Sequence, residues 1–216
     1  MSARRADLGL ALATLLAAAC GTVTIPDRPD PYDFEEQQTG VVFRWPAERL
    51  PVRYWVDPEA GVVAEYVARG LEAWQEQFLY GEFRAVTVAD SSRADVVVRV
   101  LGDPPPDVPL TDDPPVFACG GVTRYEAPDA ANRFPAPPVV ELTWDAGYGD
   151  ADVANCLFRV AVHEVGHTLG ILAHSPDEFD LMNANPRVAA PSVRDRATVQ
   201  TLYHTAPTAL PPERPR

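Results

Sequence analysis

The chain has 216 residues, enough for one domain with a real core and too few for two of ordinary size. Its formal net charge of −13 comes from 31 acidic against 18 basic residues, every basic one an Arg. Binding to a nucleic-acid backbone needs clustered positive charge, so this balance argues against nucleic acid as a partner and speaks mainly to solubility.

Arg4 and Arg5 precede an apolar run from Leu8 to Ala19, the layout of a secretory signal, which assigns residues 1–19. The run is too short for a comfortable membrane span and ends in small residues followed by Cys20 and Gly21. Leu16-Ala17-Ala18-Ala19-Cys20 resembles the bacterial lipobox, with Ala17 where Leu is usual. Two outcomes stay open: acylation of Cys20, giving a lipoprotein anchored at the cell envelope, or simple cleavage after Ala19 and secretion. The membrane is expected as a partner only through an N-terminal lipid anchor, in the first of these outcomes. Cys119 and Cys156 then remain as a pair in a compartment where disulfides persist, so a bridge is expected and two buried free thiols are the alternative.

Residues 20–40 are rich in Pro, Asp, Glu and Gln without a sustained period and read as a spacer. The domain is expected over 41–205. A strand spans 51–56, and a helix over 62–79 follows from apolar residues at Val63, Val67, Leu71, Trp74 and Phe78. Strands are expected at 84–88 and 94–101, the second of them central, and shorter ones at 122–125 and 139–144. Residues 104–115 carry six Pro and read as a surface loop. Asp150 is expected to cap a long helix over 151–169 and Ser192 a last helix over 193–203, before a Pro-rich tail, 206–216. Trp74 and Trp144 are assigned to the core.

The long helix carries the chemistry. His163 and His167 are four residues apart, one turn on one face, and can share one zinc ion, while Glu164 beside them is placed to take a proton from the metal-activated water. A catalytic zinc keeps three protein ligands and an open position. Gly170 can end the helix in a left-handed turn, which brings His174 within reach as the third. Of the four His in the chain, three fall within these twelve positions.

His163 through Ser175 resembles the metzincin zinc-binding consensus and is most similar to its matrixin branch. One departure stands out: the family places the third His three residues after the Gly, where this chain has Ala173, and His174 arrives one later. Asp177 is the fallback third ligand, since some relatives use Asp there. By the same resemblance Met182 is the residue of a Met-turn beneath the metal, the fold is an α+β metzincin-like domain, and residues 122–125 form the edge strand above the cleft. That fold is a twisted mixed sheet with a backing helix, an active-site helix and a small C-terminal subdomain. An extended polypeptide substrate would pair with the edge strand.

The resemblance implies a zinc-dependent endopeptidase, probed against a rival from another class: an exported, zinc-stabilised binding module without turnover. A fold that draws its last ligand from a Glu on a later helix lacks a suitable donor, because after His167 only Glu178 and Glu213 remain. Asp145, Asp150 and Asp152 read as a loop and helix start rather than a structural Ca²⁺ site, and His204 as a helix-end residue outside the site. A monomer is expected.

Overall fold

β-Branched and aromatic residues build a five-stranded sheet. Its strands are β1 (Val52–Val56), β2 (Ala85–Thr87), β3 (Val96–Val100), β4 (Cys119–Arg124) and β5 (Val139–Trp144), in the order β2-β1-β3-β5-β4. The computed structural model describes residues 30–32 and 40–214, so the signal segment, Cys20 and most of the spacer lie outside the described residues. The first four strands of that order pair in parallel, and β4 runs antiparallel to β5 at the edge. β3 is central, as its run of Val predicts, and β4 is the edge strand, beginning three residues earlier than expected.

Helices α1 (Val63–Gln75) and α2 (Asp150–Thr168) pack on one another, and α3 (Val193–His204) closes the C-terminal part. α1 stops four residues short of its predicted end. Gln77 N–H bonds to Trp74 O at 3.1 Å and Phe78 N–H to Gln75 O at 3.1 Å, tightened turns that still bury Phe78 against Phe83 and Tyr203 while leaving Leu79 exposed. The apolar spacing therefore continued past the helix because a turn can also bury every fourth side chain.

Two further expectations are corrected. Gly149, not Asp150, is the N-cap of α2; Asp150 and Asp152 stand within its first turn, where their charge favours the helix dipole without a capping bond. Trp144 is half-buried rather than core, since its indole N–H reaches out to Asp103 O at 3.1 Å, whereas Trp74 is fully buried and donates to Val162 O at 2.9 Å.

Segments without regular structure are tied down by specific bonds. The Pro-rich stretch 104–118 lies over the first turns of α2, where Thr111 exchanges two bonds with Asn155, at 2.9 and 2.7 Å. Residues 206–214 return along the domain: Ala209 N–H bonds to Val42 O at 3.1 Å, and Arg214 reaches the buried carboxylate of Asp95 at 2.7 Å, shared with Arg49 and Arg53. At the other end Tyr32 is buried, its hydroxyl donating to Asp195 at 3.2 Å. Cys119, at the start of β4, is bonded to Cys156 in α2 with 5.8 Å between Cα atoms, so the expected bridge is present and joins the edge strand to the long helix. Among the described residues no helix is long and apolar enough to cross a membrane.

Candidate metal centre

The 3.6-residue period of α2 puts His163 and His167 one turn apart, and both are buried. Each is oriented by a backbone carbonyl: His163 Nδ1 lies 2.7 Å from Leu181 O, and His167 Nδ1 2.5 Å from Ile171 O. A carbonyl accepts only, so both Nδ1 atoms carry the proton and both Nε2 atoms present a lone pair.

His174 completes the trio. Its Nε2 lies 3.2 Å from that of His167, and one nitrogen from each of the three rings lies within 4.8 Å of the others. Two imidazoles bound to one tetrahedral zinc hold their nitrogens about 3.3 Å apart, so one pair is already at that spacing and the third ring is close. Among the described residues this is the one group of three or more His, Cys, Asp or Glu side chains gathered tightly enough to hold a metal.

The extra residue before His174 is absorbed by the turn. Gly170 has φ +108°, and a β-carbon there would collide with the Phe43 carbonyl. Leu172 N–H then bonds back to Gly170 O at 3.0 Å, a three-residue turn that takes up the additional length. Beyond it Ser175 N–H donates to Met182 O at 2.7 Å and Asn183 Nδ2 to Ser175 O at 2.9 Å, fixing the strand of chain that carries His174. Asp177 is not part of the trio; its carboxylate accepts from Phe179 N–H at 3.0 Å and faces Arg194 at 3.5 Å. His204 is remote from the site, exposed and 3.8 Å from Glu82.

Burial decides the charge of these rings. Desolvation pushes His163 down to about 4, with the neighbouring His174 adding to the effect against the opposing bond to Leu181 O. It drives His167 well below the ordinary value, with the His163 and His174 rings contributing, and it lowers His174 as well. Three neutral imidazoles with converging lone pairs are what a cation requires.

Glu164 is buried beside them, and desolvation raises its carboxyl to about 7 against a hydrogen bond that pulls the other way. That bond comes from Thr123 on β4, whose hydroxyl donates to Glu164 Oε2 at 2.6 Å. Gly121, two residues earlier on the same face, leaves room for the other oxygen: a β-carbon there would lie 2.6 Å from Glu164 Oε1. The cleft between β4 and the His174 turn, about 360 Å³, is lined by Gly121, Thr123, Tyr125, Glu164, His167 and His174. Met182 is fully buried with its sulfur against Gly166 of α2, in the turn whose Leu181 carbonyl orients His163.

The matrixin family model matches residues 54–204, which is more than half of the chain and includes every residue of this site. The chain belongs to the matrixin family. No curated protein is similar enough to it in sequence to refine that assignment. Matrixins are metalloendopeptidases that use catalytic zinc, and in this matrixin the trio at His163, His167 and His174 is compatible with holding it. The mixed sheet and three helices agree with the family's fold.

Several contributors carry no motif in the sequence. Thr123 and Gly121 act from 41 and 43 residues before Glu164, a distance no local pattern spans. Asp195 accepts from Leu181 N–H at 2.7 Å, Met182 N–H at 3.2 Å and Ser192 N–H at 2.8 Å, so one buried carboxylate holds both the Met-turn and the start of α3. The Ser192-x-x-Asp195 spacing signals its capping half; its hold on the Met-turn has no such sign.

Proposed function

We propose that this matrixin is a zinc-dependent endopeptidase in which His163, His167 and His174 hold the metal and Glu164 is the general base. The observation that carries the reading is the convergence of three neutral imidazole nitrogens beside a buried carboxylate, in a cleft under a strand edge that is unpaired among the described residues. Zinc held there supplies a Lewis acid, polarising the scissile carbonyl and making water acidic enough to attack at neutral pH.

The chain's own residues do the rest. The edge of β4, unpaired among the described residues, offers backbone N–H and C=O groups to an extended polypeptide. Glu164 takes a proton as water adds to the carbonyl carbon and delivers it to the leaving nitrogen as the C–N bond breaks. A carboxyl near 7 without metal, lowered by a cation beside it, suits both directions of that transfer. Thr123 holds the carboxylate in one rotamer meanwhile.

We further propose export, with Cys20 as the acylation site or Ala19 as the last residue removed. The charged, apolar and small-residue order of residues 1–19 supports this, and so does the Cys119–Cys156 bridge, since disulfides persist in oxidising compartments.

Metal analysis and cleavage of a broad peptide library by the native chain and Glu164→Ala test the enzymatic reading. One zinc per chain with cleavage abolished in the variant is expected. Zinc retained by a native chain that cleaves nothing would instead favour the binding module. Mass spectrometry of the exported form reads the modification at Cys20.

A further inference from the structure

The family match spans residues 54–204, yet chain on both sides of it closes over the end of α2 that leads to His174. Phe43 and Trp45 come before the matched region, and both are fully buried. Trp45 Nε1 donates to Thr168 O at 2.8 Å, on the last residue of α2. An α-helix leaves its last four carbonyls without partners of its own, and a buried carbonyl left unmet is destabilising. The indole therefore closes the helix where the metal-binding turn begins. Two residues before it, the Phe43 carbonyl occupies the space that a β-carbon at Gly170 would need, so the turn rests on this segment.

The returning tail fixes that segment. Val42 O accepts from Thr208 N–H at 2.8 Å and from Ala209 N–H at 3.1 Å, while Val42 N–H donates to Thr208 Oγ1 at 2.8 Å. Phe43 and Ala209 consequently lie side by side in a parallel bridge. The Phe43 ring also meets those of Trp45, Phe134 and Tyr125 at 5.2, 5.2 and 5.8 Å, and Tyr125 in turn donates its hydroxyl to His167 O at 3.0 Å. Residues 42–45 and 206–214 thus form one strap under the Gly170 turn, built from chain outside the family match.

The turn in this chain has a particular need of that support. The third His of the family consensus stands three residues after the Gly, whereas His174 stands four after Gly170, which leaves up to about 3.5 Å of extra reach to be taken up. Leu172 N–H folds part of it back onto Gly170 O at 3.0 Å. That fold directs His174 only while Gly170 itself is held, because a shift at the start of a short turn is carried to its end. Trp45 and Phe43 hold the start from beneath, and the bond of Asn183 to Ser175 O at 2.9 Å holds the far side.

We propose that Trp45 is a positioning residue for His174: the strap of residues 42–45 and 206–214 fixes the end of α2 and so sets the shifted third imidazole at the metal position. The proposal rests on the zinc reading of the trio and not on peptide turnover.

Zinc affinity of the full chain, measured by competition with a chromogenic chelator, provides the test, with the visible absorption of the Co²⁺-loaded chain reporting the ligand set. Trp45→Phe keeps an aromatic ring and removes the N–H; it should weaken zinc binding about tenfold and move the cobalt bands toward those of His174→Ala. Thr208→Val leaves the indole bond in place but takes the acceptor from Val42 N–H, and should weaken binding about threefold. Val98→Ala, in the core at β3, should lower the melting temperature without changing zinc affinity, which separates positioning from general loss of stability. In the His174→Ala background the Trp45→Phe effect should shrink to about threefold or less, since the residue it positions is gone. Native affinity in Trp45→Phe or in Thr208→Val, or a Trp45→Phe loss undiminished by His174→Ala, overturns the proposal while leaving the zinc reading intact. A native chain that takes up neither metal overturns both.

Discussion

Gly120 and Gly121 are adjacent on β4 and point to opposite faces, so replacing each by Ala makes opposite demands. At Gly121 the new methyl carbon would lie 2.5 Å from Val160 Cγ1, 2.6 Å from Glu164 Oε1 and 2.8 Å from Glu164 Cγ. Ordinary contact begins near 3.4 Å, so the carboxylate must retreat by close to 0.8 Å or the strand must lift from α2. Crowding of this kind costs about 1–3 kcal/mol of stability, and a misplacement of about 1 Å at a reacting group costs on the order of 100-fold in rate. At Gly120 the methyl carbon would meet only Thr143 Oγ1, at 3.5 Å, which is ordinary contact. The expected result is therefore a kcat roughly 100-fold lower for Gly121→Ala with one zinc still bound, beside near-native kcat for Gly120→Ala. Steady-state kinetics on one peptide, metal analysis and thermal melts of both variants provide the measurement. Native kcat in Gly121→Ala, or an equal loss in Gly120→Ala, would refute the idea that β4 sets the position of Glu164.

Thr123→Val removes the hydroxyl donor to Glu164 while keeping the side chain's shape; a bond to a charged group is worth about 1.5–3 kcal/mol, so kcat should fall about 10- to 100-fold and Thr123→Ser should restore most of it. Burial alone would raise the Asp95 carboxyl, but bonds from Arg214, Arg53 and the Arg53 backbone outweigh it and hold it at about 2. Since the folded value is the lower one, the stabilisation is complete above the ordinary value of 3.8 and is lost as pH falls from there toward 2. It amounts to about 2 kcal/mol, and Asp95→Asn should flatten that part of the stability-against-pH curve measured by urea unfolding. The Cys119–Cys156 bridge closes a segment of 37 residues; a Cys119→Ser, Cys156→Ser double variant should lose about 3–4 kcal/mol in chain-entropy bookkeeping, read from the same unfolding experiment.

How much of this was written in the chain itself differs by element. The helix carrying His163, Glu164 and His167 was legible from the placement of its two His one turn apart, β3 from its run of Val bounded by turn residues, and the edge position of residues 122–125 through the family resemblance. Gly170 was legible through its spacing from His167, and Met182 through the family resemblance. Where one pattern served two structures, the boundaries moved: α1 ends early because a tightened turn buries Phe78 as well as a helix would, and Trp144 lies half-buried because its indole N–H needed a partner outside.

Short-range order therefore determined which residues could meet a metal: two imidazoles one turn apart and a third just past a glycine. Only the tertiary structure decided that the shifted His174 does arrive, through the turn at Gly170 and the bonds of Ser175 to Met182 and Asn183. It alone set Thr123 and Gly121 around Glu164 and Asp195 under the Met-turn. Those contacts join residues from 13 to 43 positions apart, and they depend on how separate elements pack, which no local period encodes.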